Sequence, residues 1–87
     1  MAASSFEITV WVQDDRFAGA VGILAHAVAQ EAGLASATCT AFADRVDSAV
    51  RESLPGLRAD HELPVIVRCT GGPVEVLVGG RTITPDA

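Results

Sequence analysis

The stretch FAGAVGILAHAVAQEAGLASATCTAFADRVDSAVRESL, residues 17–54, decides the fold because it has the pattern of two consecutive helices. The first is predicted over residues 16–32 and ends at Gly33, a residue typical of helix C-caps. The second is predicted over residues 37–54 and stops at Pro55-Gly56. At 3.6 residues per turn, each helix has one apolar stripe that must be buried. The stripes are Phe17, Val21, Leu24 and Val28 in the first helix, and Cys39, Phe42, Val46, Ala49, Val50 and Ser53 in the second.

The remaining apolar residues lie in three segments with the alternating pattern of strands. Residues 6–12 alternate cleanly, and residues 65–70 and 74–78 flank Gly71-Gly72, a glycine pair typical of hairpin turns. The order is therefore β-α-α-β-β. It predicts an α+β two-layer sandwich, with both helices on one face of a small, mixed, three-stranded sheet. The predicted core is Phe6, Ile8, Val10, Phe17, Val21, Leu24, Val28, Phe42, Val46, Val50, Val65, Val67, Val74 and Val76.

With 87 residues, the chain has room for one domain, and we expect residues 1–5 and 84–87 to be flexible. Such a small domain has a thin core, which favours a dimer or a permanent partner. The formal net charge is −5, and all six basic residues are scattered arginines. This pattern argues against nucleic acid and anionic membranes as partners. The absence of lysine excludes Schiff-base chemistry and P-loop phosphate binding.

The first five residues carry no positive charge, and the longest charge-free run, residues 17–30, is too short to span a membrane. We therefore expect a cytoplasmic protein. Cys39 and Cys69 are each in phase with an apolar face and are predicted to be buried thiols. Asp60-His61-Glu62 has metal-binding side chains, but adjacent residues rarely converge on one ion. No metal or cofactor is predicted.

The side of the first helix opposite its apolar stripe carries small residues together with one histidine. They are Gly19, Gly22, His26 and Ala29. Two interpretations are open: a solvent face of short side chains, or a place where another backbone approaches closely. Gly22 and His26 are therefore candidate interaction residues. On the second helix, Arg45, Ser48 and Glu52 form a flank that is expected to be solvated, and Asp47 and Arg51 form an i,i+4 pair.

The order of elements, with Ala29-Gln30-Glu31-Ala32-Gly33-Leu34 at the end of the first helix, resembles the bacterial anti-sigma-factor serine kinases. These are small members of the GHKL (gyrase and histidine-kinase type) ATPase fold. The resemblance covers about residues 5–85 and is carried by the pattern. It implies a role in bacterial regulation, with a sigma factor or its regulator as the partner.

The residues that make the family catalytic are replaced in this chain. The family's second helix carries a glutamate that acts as base and an asparagine that coordinates magnesium, and Ser48 and Glu52 stand at those positions. Its Asp-x-Gly-x-Gly motif, which reads the adenine, corresponds to residues 78–82, which lack the aspartate. The resemblance therefore implies a non-enzymatic, nucleotide-free relative. The alternative is an active kinase in which Glu52 holds magnesium.

Two further alternatives remain. The KH nucleic-acid fold has the same β-α-α-β-β start, but it needs a Gly-x-x-Gly loop and basic surroundings, which residues 32–36 do not supply. A small subunit that stabilises a partner protein without any regulatory role is the other alternative.

Strand alternation predicts where a protein partner binds. It places Trp11, Ile66 and Leu77, with Arg68 beside them, on the sheet face opposite the helices. Tryptophan is enriched in binding hot spots, and apolar patches mark contacts. We expect a two-fold homodimer through this face. The competing interpretation is that residues 81–87 fold over the patch and cover it.

Overall fold

A computed structural model describes residues 5–56, 61–70 and 74–85, and they form a two-layer α+β sandwich, as predicted. The strands are β1 (Ser5–Val12), β2 (Leu63–Thr70), β3 (Val74–Val78) and β4 (Arg81–Ile83). The helices are α1 (Ala18–Glu31) and α2 (Ser36–Ser53). Short 3-10 turns at Asp15–Phe17 and Leu54–Gly56 precede α1 and follow α2.

The sheet differs from the prediction in two respects. It has four strands in the order β1-β2-β3-β4, not three, and every neighbouring pair is antiparallel, so the sheet is not mixed. The missed strand is β4, because the predicted last strand stops at residue 78, before Gly79-Gly80, and a glycine pair can end a strand as well as reverse it. Both glycines have positive φ, +52° and +94°. Two consecutive residues of this kind make the two-residue hairpin turn that suits strand twist, so β3 continues directly into β4.

Local hydrogen bonds fix the turns that precede and follow α1. Asp14 accepts a hydrogen bond from the backbone N–H of Arg16 and also pairs with the Arg16 guanidinium, at 2.9 Å in each case. This side-chain hydrogen bond lowers the pKa of Asp14. At the other end, Gly33 has φ +88°, Gly33 N–H bonds Gln30 O, and Leu34 N–H bonds Ala29 O. That is the Schellman C-cap, which confirms the predicted role of Gly33.

The core lies between the two helices and the face of the sheet that carries most of the valines. Phe42 is its largest fully buried side chain. The other buried residues are Val12, Ala18, Val21, Ala25, Val28, Ala29, Cys39, Val46, Ala49, Val50, Leu63, Val65, Val67, Val74, Val76 and Val78. The predicted burial of Val21, Val28, Phe42, Val46, Val50, Val65, Val67, Val74 and Val76 is therefore confirmed. Cys39 is buried as predicted, Cys69 is half-buried, and both thiols are free.

The prediction assigns some of the wrong residues to the buried face of α1. Phe17 is 48% exposed and Leu24 is half-buried, whereas Ala18, Gly22 and Ala25 are buried. The reason is that α1 packs against α2 as well as against the sheet, so its buried surface is turned toward small residues. A Cβ at Gly22 would lie 3.5 Å from Ala43 O and 3.6 Å from Asp47 Cβ. Close approach of another backbone is thus the correct interpretation at Gly22.

The first strand is also more open than predicted. Ile8 is 41% exposed and Val10 is half-buried, although both face the helix layer. β1 is the outermost strand, and the helices do not cover its whole length. The Phe6 side chain, the Gly71-Gly72 turn, and residues 57–60 and 86–87 lie outside the described part of the chain. Among the described residues, no helix combines the length and the apolar character that crossing a membrane requires.

The packing at Gly22 predicts opposite effects for two substitutions. Gly22→Ala should raise the free energy of unfolding by about 0.5–1 kcal/mol, because the new methyl reaches only ordinary contact distance and glycine disfavours a helix interior. Gly22→Leu should lower it by about 1–3 kcal/mol, because the larger side chain must push α2 away. Urea denaturation of the three proteins measures both changes. Equal destabilisation by alanine and leucine would contradict this account of the helix contact.

Candidate functional site

The face of the sheet turned away from the helices brings together four of the predicted interaction residues, and we call it the open face. Strand pairing aligns Thr9 with Ile66, Ile66 with Leu77 and Leu77 with Thr82, so these four residues form one row across the sheet. Trp11 lies beside this row, opposite Pro64. Trp11 is 60% exposed, and Ile66 and Leu77 are half-buried. The centre of the open face is therefore apolar, with its largest side chain standing out into solvent.

A charged row borders the apolar centre of the open face. Glu7, Arg68 and Glu75 are aligned across β1, β2 and β3. The Arg68 guanidinium donates to Glu75 Oε2 from both Nε and Nη2, at 3.0 and 2.8 Å. This cross-strand pair fixes the orientation of the Arg68 side chain next to the apolar row. The arrangement is an apolar centre with an ordered polar border, which is the usual plan of a protein-binding surface.

The alternative in which residues 81–87 cover the patch does not hold for the part of the tail that is described. Residues 81–83 extend the sheet sideways as β4. Beyond them, the carbonyl oxygen of Thr84 accepts a hydrogen bond from Arg45 of α2, so the chain turns toward the helix layer. Residues 84–85 thus leave the open face uncovered.

Gly22 and His26, the other two predicted interaction residues, lie elsewhere. They line a groove of about 580 Å³ between α1 and α2, on the outer side of the helix layer. Gly22 is buried and serves the contact between the helices, while His26 is half-buried in the groove wall. At one end of this groove, Arg51 donates to Asp47 at 3.0 Å, and this hydrogen bond raises the pKa of Arg51. The other carboxylate oxygen of Asp47 is buried and has no hydrogen-bond partner among the residues that the structure describes.

The residues at the positions of the kinase motifs form an ion pair. Glu52 Oε2 accepts a hydrogen bond from Arg81 Nη1 at 3.0 Å, which links the end of α2 to β4. Ser48 is exposed on the preceding turn. Within residues 5–56, 61–70 and 74–85, no three His, Cys, Asp or Glu side chains come together as a metal site. Glu62 accepts a hydrogen bond from Gln13 at 3.2 Å, and Asp60 lies outside the described residues.

Sequence reasoning missed a second apolar surface, which lies between β1 and α1. We call it the β1–α1 groove: it has a volume of about 380 Å³ and is lined by Val10, Trp11, Gln13, Phe17, Ala20, Val21, Leu24 and Glu62. Phe17 was assigned to the core, so its exposure was not expected. A signal was present in the composition of α1, which has only three polar residues in its 14 positions. A helix that is apolar nearly all round cannot bury its whole surface against one sheet and one neighbouring helix.

No family model, curated protein or solved structure matches this chain. The resemblance to the anti-sigma-factor kinases therefore stays a prediction. The geometry of the described residues is what supports a functional assignment.

The exposure of Trp11 predicts that this residue contributes little to the stability of the isolated chain. Trp11→Ala should change the free energy of unfolding by about 1 kcal/mol or less, because the side chain is 60% exposed on an edge strand. As the matched comparison, Phe42→Ala should lower it by about 3–5 kcal/mol, because Phe42 is fully buried. Thermal or urea unfolding compares the two. If Trp11→Ala were as destabilising as Phe42→Ala, Trp11 would belong to the core and not to a binding surface.

Proposed function

We propose that this chain is a non-catalytic protein-interaction module that presents the open face to a partner protein. The observation that carries the proposal is the exposed Trp11 beside the apolar row Thr9–Ile66–Leu77–Thr82. A large aromatic side chain left in solvent gains much from burial on binding and loses little conformational entropy. Because the row lies on a hydrogen-bonded sheet, its side chains are already held in place before a partner binds.

The charges of the open face describe the partner that would fit. Glu7 and Glu75 flank Arg68, and the whole chain has a net charge of −5. A complementary surface would therefore be apolar at its centre and neutral or basic at its border. The resemblance to anti-sigma-factor kinases suggests a regulatory setting in the bacterial cytoplasm, with a sigma factor or its regulator as the partner. A second copy of the chain is an alternative partner, and the predicted two-fold homodimer through the open face stays a prediction.

The competing proposal is an active kinase that uses Glu52 to hold magnesium. The ion pair between Glu52 and Arg81 disfavours it, because Mg²⁺ would have to displace the guanidinium and find further oxygen ligands. Ser48 stands where a base is needed and offers only a hydroxyl.

Calorimetric titration with Mg-ATP separates these two proposals. The interaction module predicts no heat of binding. A dissociation constant tighter than about 100 μM, roughly −5.5 kcal/mol, would favour the kinase. Glu52→Gln is the matched variant, since loss of such binding in that variant alone would assign the magnesium to Glu52.

Photo-crosslinking in the native host tests the open face. A benzoylphenylalanine at position 82, on the open face, should give a discrete crosslinked product with a host protein. The same group at position 40, an exposed threonine on α2, should not give that product. Trp11→Glu should abolish the product, because it places a charge in the apolar centre three strands away from the crosslinker.

Ile23→Glu is the control for the crosslinking experiment. Ile23 is 74% exposed on α1, on the helix side of the molecule, so this change adds the same charge without touching the open face. A product that survives Trp11→Glu, or that forms only from position 40, would defeat the proposal. If the chain were folded only in the presence of its crosslinked partner, the stabilising-subunit alternative would be the better description.

A further inference from the structure

The two edge strands of the sheet differ in how well they are protected against pairing with another chain. β4 has three residues, begins with Arg81 after a tight turn, and is followed two residues later by Pro85. Short length, charge and proline are devices that stop an edge from pairing with another chain. β1 is the other edge. It has eight residues, contains neither proline nor glycine, and carries one charge, that of Glu7. Among the described residues no strand pairs with the outer side of β1, which therefore offers a long row of backbone groups to a further strand.

The β1–α1 groove runs beside this edge on the helix side. Ile8 and Val10 of β1 face the same side as the groove, which is lined by Ala20 and Leu24 of α1 and by Phe17 of the 3-10 turn before it. Two large apolar residues there are substantially exposed, Ile8 at 41% and Phe17 at 48%. An apolar surface that continues into an unprotected strand edge is a surface for strand addition. Both features lie on the same margin of the molecule, although one comes from β1 and the other from α1.

We propose that a second copy of the chain pairs antiparallel along β1, to give a continuous eight-stranded sheet. A two-fold axis through the junction puts β1 against β1 and, by the same rotation, brings the two β1–α1 grooves together. Residues directly opposite each other in an antiparallel pair lie on the same face. The Ile8 and Val10 side chains of both copies would then share the helix side and complete the apolar layer between the two α1 helices. The same two-fold rotation therefore buries both the β1 edge and the β1–α1 groove.

The charges permit this pairing. Glu7 is the one charged residue of β1, and a two-fold axis centred at Ile8 or Thr9 sets it opposite Thr9 or Trp11 of the second copy, not opposite Glu7. At the end of the groove, Glu62 already accepts a hydrogen bond from Gln13. No like charges are therefore forced to face each other in the centre of the contact.

The size of the contact is also sufficient. In either register seven residues of β1 pair with the second copy over about 24 Å, and the sheet with its helix layer is about 20 Å high at this margin. Two such surfaces bury about 1,000 Å² in total, the area at which specific interfaces begin. The small core of an 87-residue domain gives this extra burial a larger relative effect. An edge-to-edge dimer leaves the row of Thr9, Ile66, Leu77 and Thr82 uncovered in both copies. Trp11 is shared between the two surfaces, because it also lines the β1–α1 groove.

Sedimentation analysis of the whole chain and its variants tests whether a dimer forms through the β1 edge. The wild type should be a dimer, and Ile8→Lys should weaken dimerisation by at least about tenfold, since a lysine in the middle of an edge strand opposes strand addition. Phe17→Glu is the second edge variant and should act in the same direction. Ile23→Lys, on the outer side of α1, and Leu77→Glu, two strands away from the edge on the open face, should leave the dimer in place. Circular dichroism confirms that each variant is folded.

A distance between the two copies separates the edge from the open face as the site of the dimer. In the eight-stranded sheet, seven strand spacings of about 4.8 Å separate the two β4 strands, or about 34 Å. Two open faces packed on each other would bring them to within about 20 Å, since sheets pack about 10 Å apart. Nitroxide labels at position 82 of β4, in a Thr82→Cys chain that also carries Cys69→Ser, measure this by pulsed electron resonance. A separation near 34 Å supports the edge dimer. A separation under about 20 Å, or a wild type that sediments as a monomer at high concentration, overturns it.

Discussion

The close contact between α1 and α2 is the constraint on which the rest of the structure depends. Two helices, each about 10 Å across, must lie side by side on a sheet of four strands spaced about 4.8 Å apart. They fit because Gly22 brings the backbone of α1 to within contact distance of Ala43 and Asp47. Ala25 and Ala29 continue this small-residue side of α1 and are fully buried. The helix layer is therefore narrow, and the outermost strand extends beyond it.

Most of the fold could be predicted from the sequence because its signals are local. Alternation along residues 6–12 and the glycine at position 33 act within a few residues, and the structure agrees with both. The errors concern how many side chains of an apolar face are covered by the neighbouring layer. Periodicity states that Phe17 and Val21 share a side of α1, but it cannot state where the sheet ends beneath them. Ile8 and Phe17 were placed in the core for this reason. β4 was missed because Gly79-Gly80 can either end a strand or reverse it, and only strand pairing decides between the two.

In the candidate site, too, some features follow from local sequence and others depend on contacts between distant parts of the chain. The common side of Trp11, Ile66 and Leu77 follows from strand alternation and could be predicted. The place of Trp11 beside the other two depends on the register of β1 with β2, which joins residues more than fifty positions apart and has no local signal. The ion pair of Glu52 with Arg81 is likewise a contact between distant elements. It gives the carboxylate a partner in this chain, where the resemblance alone suggested a vacant magnesium ligand. The molecule thus has charged contacts on its helix side and an apolar centre on its open face.

The path of the chain beyond β4 has a practical consequence. Arg45 of α2 holds the carbonyl of Thr84, and Arg81 is paired with Glu52, so the last described residues are tied to the helix layer at two points. At Pro85, the last described residue, the chain therefore lies on the helix side of the β4 edge. A surface-immobilised protein linked through this end would present its open face outward. Its β1 margin, at the opposite edge of the sheet, would also stay clear of the tether, so either surface can be titrated without moving the attachment point.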